Sequence, residues 1–412
     1  MHIVFISAPY PPHSRGGVGA YVHTMAHALS DAGHTVQVIA RCGLDEDHDT
    51  WDGSVHVHWV GPFVIRLLWR RPLRWLRLYE TFPAIGDWIG WSAAAARQVQ
   101  MLNRQQPVDV VEAPDHLAQG FATTYLHQPP LVVRLHSPLA VNLPAKGETP
   151  QKDHWLGFRC ERASVLHART VTAPTARYAE FIRSFWRLGD KPIRVVPNPV
   201  DEARFRPSAE EDRCPNLVSY IGRLNRAKGI PVLLAAIPHV LTQVPTARFR
   251  LVGLDEGDAP GNTGAYEHFF VQEYGAAAAQ AVEFVPWVAP DALPRYYQES
   301  GVTVAPSVGP DNFPGAVAEA MSSGCAVVAS AIGGIPELVT HEETGLLTPP
   351  GDVQALADAL VRLLRQPDLA RALGCRARQA VEQRYARTVV AGQMLEVYRQ
   401  TIADGVRRHR ET

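Results

Sequence analysis

The chain has 412 residues, 46% hydrophobic and 20% charged, with a formal net charge of -1. That length exceeds one ordinary core, so two domains are expected, and the near-zero charge argues against a chain-wide nucleic-acid surface. Five scattered cysteines without a CxxC pair argue against a disulfide frame or zinc ribbon and for a reducing compartment.

The opening MHIVFIS is an apolar run without a basic leader or small-residue cleavage site, so it reads as a first strand. PPHSRGGVGAYV (11–22) follows, with Gly16, Gly17 and Gly19 between this strand and the helical pattern GAYVHTMAHALSDAG (19–33). Glycine lets the backbone approach a phosphate, and a helix start supplies N–H donors. The ordinary alternative is a flexible turn, because neither GxGxxG nor a Walker lysine is present. His23 and His27 lie one helical turn apart without the Glu of HExxH, so they read as packing residues rather than zinc ligands.

TVQVIA (35–40) reads as the next strand. In the segment 61–80, Arg66, Arg70, Arg74 and Arg77 form a basic stripe flanked by Trp69 and Trp75, and Pro72 splits it into two short helices. Such a stretch suits an anionic membrane surface. An ordinary helix pair with solvated arginines is the preferred reading. VDVVEAP (108–114), LVVRLHS (131–137) and TVTAPT (170–175) continue the strand series. RVVPNPVDEARFRP (194–207) breaks the rhythm with three prolines and reads as the domain linker.

A second series follows: LVSYIGR (217–223), ARFRLVG (247–253), AVEFVP (281–286), VTVAPS (302–307) and CAVVAS (325–330), and then the helical stretch 353–412. Strands alternating with helices imply parallel sheets covered on both faces. The expected fold is α/β, with two facing doubly wound Rossmann-like domains and the site in the cleft between them. The expected boundaries are 1–195 and 196–384, with a C-terminal helix of about 385–412 packing back on the first domain. No apolar run reaches membrane-spanning length, and Glu319 and Pro336 spoil 316–335 as a span.

In YIGRLNRAKGI (220–230), Arg223 and Lys228 follow a strand that ends in Gly222. Two cations at a strand exit can clamp a pyrophosphate; the alternative is a solvated basic loop. In PDNFPGAVAEAMSSGCAVVAS (310–330), Asn312 is the expected helix cap and Pro314 fits the first turn. Asp311 then sits at the helix mouth. Glu319 lies roughly 7.5 Å along the axis beyond Pro314. The two acids are therefore separated and need not share a proton. First-turn N–H groups near Phe313 to Ala316 can donate to ligand oxygens.

Together these motifs resemble the retaining glycosyltransferases of family 4, which have the GT-B fold. The stretches that carry the resemblance are RGGVGAYV, VVPNPVDEARF, YIGRLNRAKGI, LVGLDEG, DNFPGAVAEAMSSGCAVVAS, GGIPELV and ETGLL, densest over 194–350. The family's pattern is a Glu, seven residues and a second Glu; here the positions are Asp311 and Glu319. The resemblance implies that Asp311 and the backbone at Asn312, Phe313, Pro314 and Gly315 hold sugar hydroxyls, and that Glu319 holds the ribose. It assigns Arg223 and Lys228 to the diphosphate, with Gly16 and Gly17 approaching from the other domain, and places His136 near the reacting carbon. Asp311 has a shorter arm than Glu, and Pro286-Trp287 replaces a frequent Gly, so Trp287 and Val288 are weaker base-site candidates.

The implied reaction moves a sugar from a nucleoside diphosphate sugar, with UDP or GDP expected, to a carbohydrate, lipid-linked or small-molecule acceptor. No metal or other cofactor is expected. The acidic clusters DED (45–47) and DEGD (255–258) read as solvated turns rather than metal ligands. His136 is preferred as a hydrogen-bonding residue over a general base. The expected location is cytoplasmic, with peripheral contact through 61–80 as the membrane alternative. The rivals are a GT-B epimerase or hydrolase, an inactive nucleotide-sugar binder, and an oxidoreductase that the missing GxGxxG disfavours.

Overall fold

The computed structural model describes the chain except residues 13–15, 44–46, 62–82, 127–128, 146–147, 209–212, 263, 310 and 412. The basic stripe of 61–80 and most of the DED cluster lie outside the described residues. The chain divides into two compact units, Met1–Pro199 with Arg387–Thr412, and Val200–Ala386.

Unit 1 holds strands β1 (His2–Ser7), β2 (Thr35–Arg41), β3 (His48–Asp52), β4 (Val55–Val60), β5 (Val110–Pro114), β6 (Leu131–Arg134), β7 (Thr170–Ala173) and β8 (Ile193–Val195). They form one sheet in the order β3-β4-β2-β1-β5-β6-β7-β8. All pairings are parallel except the β3–β4 hairpin. The hairpin is absent from the sequence reading, because β3 is a largely exposed edge strand without apolar alternation. β8 shows that the proline-rich segment still contributes a strand before the unit ends.

Alternation along β1 sorts side chains to two faces. Ile3 and Phe5 join a core with Met25 and Leu29 of helix Gly17–Asp31, and with Met394 and Tyr398 of helix Arg387–Glu411. Val4 and Ile6 join a second core with Trp91, Ala95 and Val99 of helix Pro83–Gln105. Such two-sided burial explains why the strands are nearly continuous apolar runs.

Unit 2 holds β9 (Cys214–Ile221), β10 (Arg248–Val252), β11 (Val282–Val285), β12 (Ser300–Ala305), β13 (Ala326–Ser330) and β14 (Leu346–Thr348). The order is β11-β10-β9-β12-β13-β14, all parallel. Helices Ile230–Gln243 and Val353–Arg365 pack on one face through Leu233, Ile237, Leu360 and Leu363. Helices Gly315–Ser322 and Pro367–Arg384 pack on the other through Val317, Met321, Ala377 and Val381.

The C-terminal helix is tied to unit 1 by more than apolar contact. The buried Glu112 of β5 accepts the Tyr398 hydroxyl at 2.7 Å and the Tyr21 hydroxyl at 2.8 Å. Burial lifts the Glu112 carboxyl above its ordinary value, against the nearby Arg134 charge and both tyrosine hydrogen bonds. Removing one donor leaves a buried acceptor short of a partner, which costs about 1–3 kcal/mol. Tyr398→Phe should therefore destabilise unit 1 by that amount, measured by urea denaturation.

Candidate functional site

In unit 2 the chain runs from β9 outward to β10 and β11, then returns to β12 on the other side of β9. Loops leaving the carboxyl ends of β9 and β12 diverge at this reversal, where open parallel sheets form their ligand crevice. Both expected charged motifs lie on these two loops.

The β9 exit loop is held from within. Tyr220 donates its hydroxyl to the Arg223 carbonyl at 2.6 Å, and Asn225 Oδ1 accepts the Lys228 N–H at 2.8 Å. Glu256, from the loop after β10, accepts Arg223 Nη1 at 2.7 Å and Asn225 Nδ2 at 2.8 Å. Gly229 adopts φ +74°, and a Cβ there would lie 1.8 Å from the Pro306 carbonyl oxygen. Only glycine allows this backbone approach between the β9 and β12 exits.

Across that approach, Lys228 Nζ lies 2.6 Å from Asp311 Oδ2, which also accepts Ser307 Oγ at 3.2 Å. The Asp311 side chain is 11% exposed and that of Lys228 31%. The GGIP turn fixes the Asp311 backbone: the Gly334 N–H donates to the Asp311 carbonyl at 2.8 Å. A Cβ on Gly333 would come within 2.2 Å of the same oxygen.

Helix Gly315–Ser322 begins one residue after Pro314, which is its N-cap, and has no side-chain cap. This corrects Asn312 as the cap. Had Asn312 capped the helix, Phe313 would be its first helical residue, but a residue before proline is pushed out of the helical region. Phe313 is instead buried, its ring 5.7 Å from that of Tyr385. Glu319 accepts the Tyr297 hydroxyl at 2.7 Å. A Cβ on Gly315 would lie 3.8 Å from Glu319 Oε1, so the carboxylate lies back beside the first turn. Burial lifts its carboxyl above the ordinary value, against the Tyr297 hydrogen bond and the Arg204 charge.

Asp311 and Glu319 thus have different partners on either side of the helix mouth. Val288 packs into the core that contains Phe313 and Tyr297, while the adjacent Trp287 is exposed. DEGD is the exposed turn expected, but its acids are engaged: Glu256 organises Arg223 and Asn225, and Asp258 accepts the Arg226 N–H at 3.0 Å and the Tyr266 hydroxyl at 2.7 Å. Glu256, Asn225, Ser307 and Tyr297 had no spacing signal, since their partners are set by which strand ends are adjacent.

Unit 1 has its own reversal, between β1 and β5. Gly16 caps the helix that follows β1, and a Cβ on either Gly16 or Gly17 would meet nothing within 4 Å. His136 follows β6, its ring edge-on to Tyr21 at 4.9 Å between centroids. Burial, with the charges of Arg134 and His116, holds its imidazole well below the usual range, which makes it a weak base. Asp115 Oδ1 accepts the N–H groups of His136 at 2.9 Å and Ser137 at 3.3 Å. Glu161 Oε1 accepts those of Leu117 and Leu139, each at 2.8 Å. These buried acids therefore shape the His136 loop.

Residues 15–204 match the family described as Glycosyltransferase Family 4, and residues 215–366 match Glycosyl transferases group 1. The chain is 27% identical to a glycogen synthase of Mycobacterium tuberculosis over 97% of this chain and 94% of the relative. Among solved structures it resembles a sucrose-phosphate synthase from Thermosynechococcus elongatus, with TM-score 0.76 and 25% identity over 98% of this chain and 100% of that one. It shares its fold with Anabaena HepE solved with UDP-glucose, with TM-score 0.69 and 19% identity over 97% and 100% of the two chains.

Burial pushes the Asp115 carboxyl up to about 7 despite its backbone donors. Burial also pushes Glu161 up to about 8, and the Asp115 charge adds to the shift. Both acids bind a proton more tightly folded than unfolded. Their contribution is complete below the ordinary values of 3.8 and 4.5, and is lost as pH rises through about 7 and about 8. Thermal melts should show unit 1 weakening across that window, and Asp115→Asn should flatten part of the slope.

Proposed function

The chain belongs to the group 1, family 4 glycosyltransferases, and from this we propose that it transfers a sugar from a nucleoside diphosphate sugar to an acceptor hydroxyl with retained anomeric configuration. The observation that carries this reading is the Lys228–Asp311 pair at 2.6 Å, joining the two exit loops at the strand reversal. It sets a cation and a carboxylate side by side at the expected ligand crevice.

Arg223 and Lys228 would stabilise the charge that develops on the departing diphosphate. The Arg223 side chain is 48% exposed in its pair with Glu256. Exposed pairs of this kind contribute only about 0–1 kcal/mol, so a diphosphate can recruit the guanidinium at little cost. Among the described residues Lys228 and Ser307 both engage Oδ2, so Oδ1 would be the oxygen that meets a sugar hydroxyl. Glu319, beside the uncovered first turn at Gly315, is suited to a ribose hydroxyl. The positions of Gly16, Gly17 and His136 near the unit 1 reversal support their roles toward the diphosphate and the sugar. In the step proposed, the bond from the anomeric carbon to the diphosphate breaks as the acceptor oxygen bonds to that carbon on the same face. A diphosphate oxygen takes the acceptor proton. The two side-chain cations supply positive charge without a metal ion.

The donor is expected to be a UDP- or GDP-sugar and the acceptor a carbohydrate, a lipid-linked sugar or a small molecule. Among the described residues, no helix is long and apolar enough to cross a membrane. All five cysteines are free thiols, which supports a reducing, cytoplasmic setting.

The deciding experiment incubates the protein with UDP-, GDP-, ADP- and TDP-sugars and follows nucleoside diphosphate release by mass spectrometry, with and without acceptors. Acceptor-dependent release is expected. No turnover with any donor rejects the transferase reading, and acceptor-independent epimer formation favours an epimerase. Lys228→Ala should lower kcat/KM for the donor by about 100-fold or more, as loss of a preorganised charge contact does. Glu319→Ala should lower it mainly through weaker donor binding. Full activity in either folded variant would show that the assigned site is wrong.

A further inference from the structure

We propose that unit 1 carries a divalent transition-metal site, built from His23, His27 and Asp52, that clamps the β3–β4 hairpin to helix Gly17–Asp31. His23 and His27 share one helix face because they are four residues apart. Asp52, the last residue of β3, arrives from a separate element. His23 Nε2 lies 3.3 Å and His27 Nε2 3.2 Å from the same oxygen, Asp52 Oδ2. The three ligand atoms all lie within 4.8 Å of one another.

The two imidazole–carboxylate separations suit the chemistry. A tetrahedral ion with bonds of about 2.0–2.2 Å sets its ligands about 3.3–3.6 Å apart, close to both of them. Two imidazoles and one carboxylate select zinc, cobalt, nickel or copper over magnesium or calcium. Surrounding contacts hold the ligands in place. Tyr10 donates its hydroxyl to Asp52 Oδ2 at 2.8 Å, as outer partners of metal-bound carboxylates do. A Cβ on Gly53, at the hairpin turn, would come within 3.3 Å of His27 Cε1, so the turn backs that ring.

A second group, Asp49, His56 and His58, lies along the same hairpin. Its imidazoles engage different carboxylate oxygens, at 3.5 Å for His56 and 2.9 Å for His58. Asp49 is also the more exposed acid, with 57% of its side chain accessible against 37% for Asp52. This group is the weaker host and serves as an internal control.

The test titrates zinc chloride and cobalt chloride into the chelator-treated full chain, followed by calorimetry and by the visible cobalt spectrum. A single saturable equivalent with a tetrahedral cobalt band is expected. His23→Gln and Asp52→Asn should each weaken binding by about tenfold or more, since even outer-shell partners are worth that much. His56→Gln should leave it unchanged. No saturable binding overturns the proposal, as does wild-type affinity in His23→Gln and Asp52→Asn, or loss in His56→Gln alone. Should either ligand variant misfold, diethyl pyrocarbonate labelling of the native chain decides. Zinc-dependent protection of His23 and His27 supports the site, and equal labelling with and without zinc overturns it.

Discussion

The direction of the parallel crossovers constrains everything else in this molecule. A strand feeding a helix and returning parallel must cross over with one hand. Each sheet starts from an interior strand, β1 or β9, grows to one side and then restarts on the other. Two adjacent carboxyl ends must then send their loops apart. In unit 2 that divergence places Arg223 and Lys228 on one lip and Asp311 on the other. Gly229 brings the backbone of the first lip against Pro306 beside the second, and Gly333 brings the turn after β13 against the Asp311 backbone.

The charges on these two loops are held by neighbouring side chains. Glu256 and Asn225 hold Arg223 and the Lys228 backbone, while Asp311, itself held by the Ser307 hydroxyl, pairs with the Lys228 ammonium. An oppositely charged neighbour keeps each cation oriented, more openly for Arg223 than for Lys228, whose partner Asp311 is buried. Such preorganisation matters because a site already aligned needs no reorganisation as charge develops on a leaving group. The GGIP turn fixes the Asp311 backbone beside the helix mouth.

Much of the fold was legible from local pattern. Apolar runs of strand length alternating with helical spacing marked the interior strands, because burial on both sheet faces demands continuous apolar runs. The hairpin Asp52 belongs to was missed, because β3 is an edge strand and exposes its side chains. Asn312 looked like a cap by residue type, but Pro314 forbids a helical Phe313. The partners of the exposed Glu256 were not legible, because they lie on the preceding strand's exit loop, 31 and 33 residues away in sequence.

The sequence by itself determined the class of fold and the motif segments that carry the family resemblance, because these rest on periodicity and on motifs whose residues are neighbours along the chain. Only the tertiary structure decided who meets whom. Lys228 reaches Asp311 across 83 positions, and Tyr398 reaches Glu112 across 286. Asp52 joins His23 and His27 because a hairpin lies against a helix. Such pairings depend on strand order and register, which no local spacing encodes.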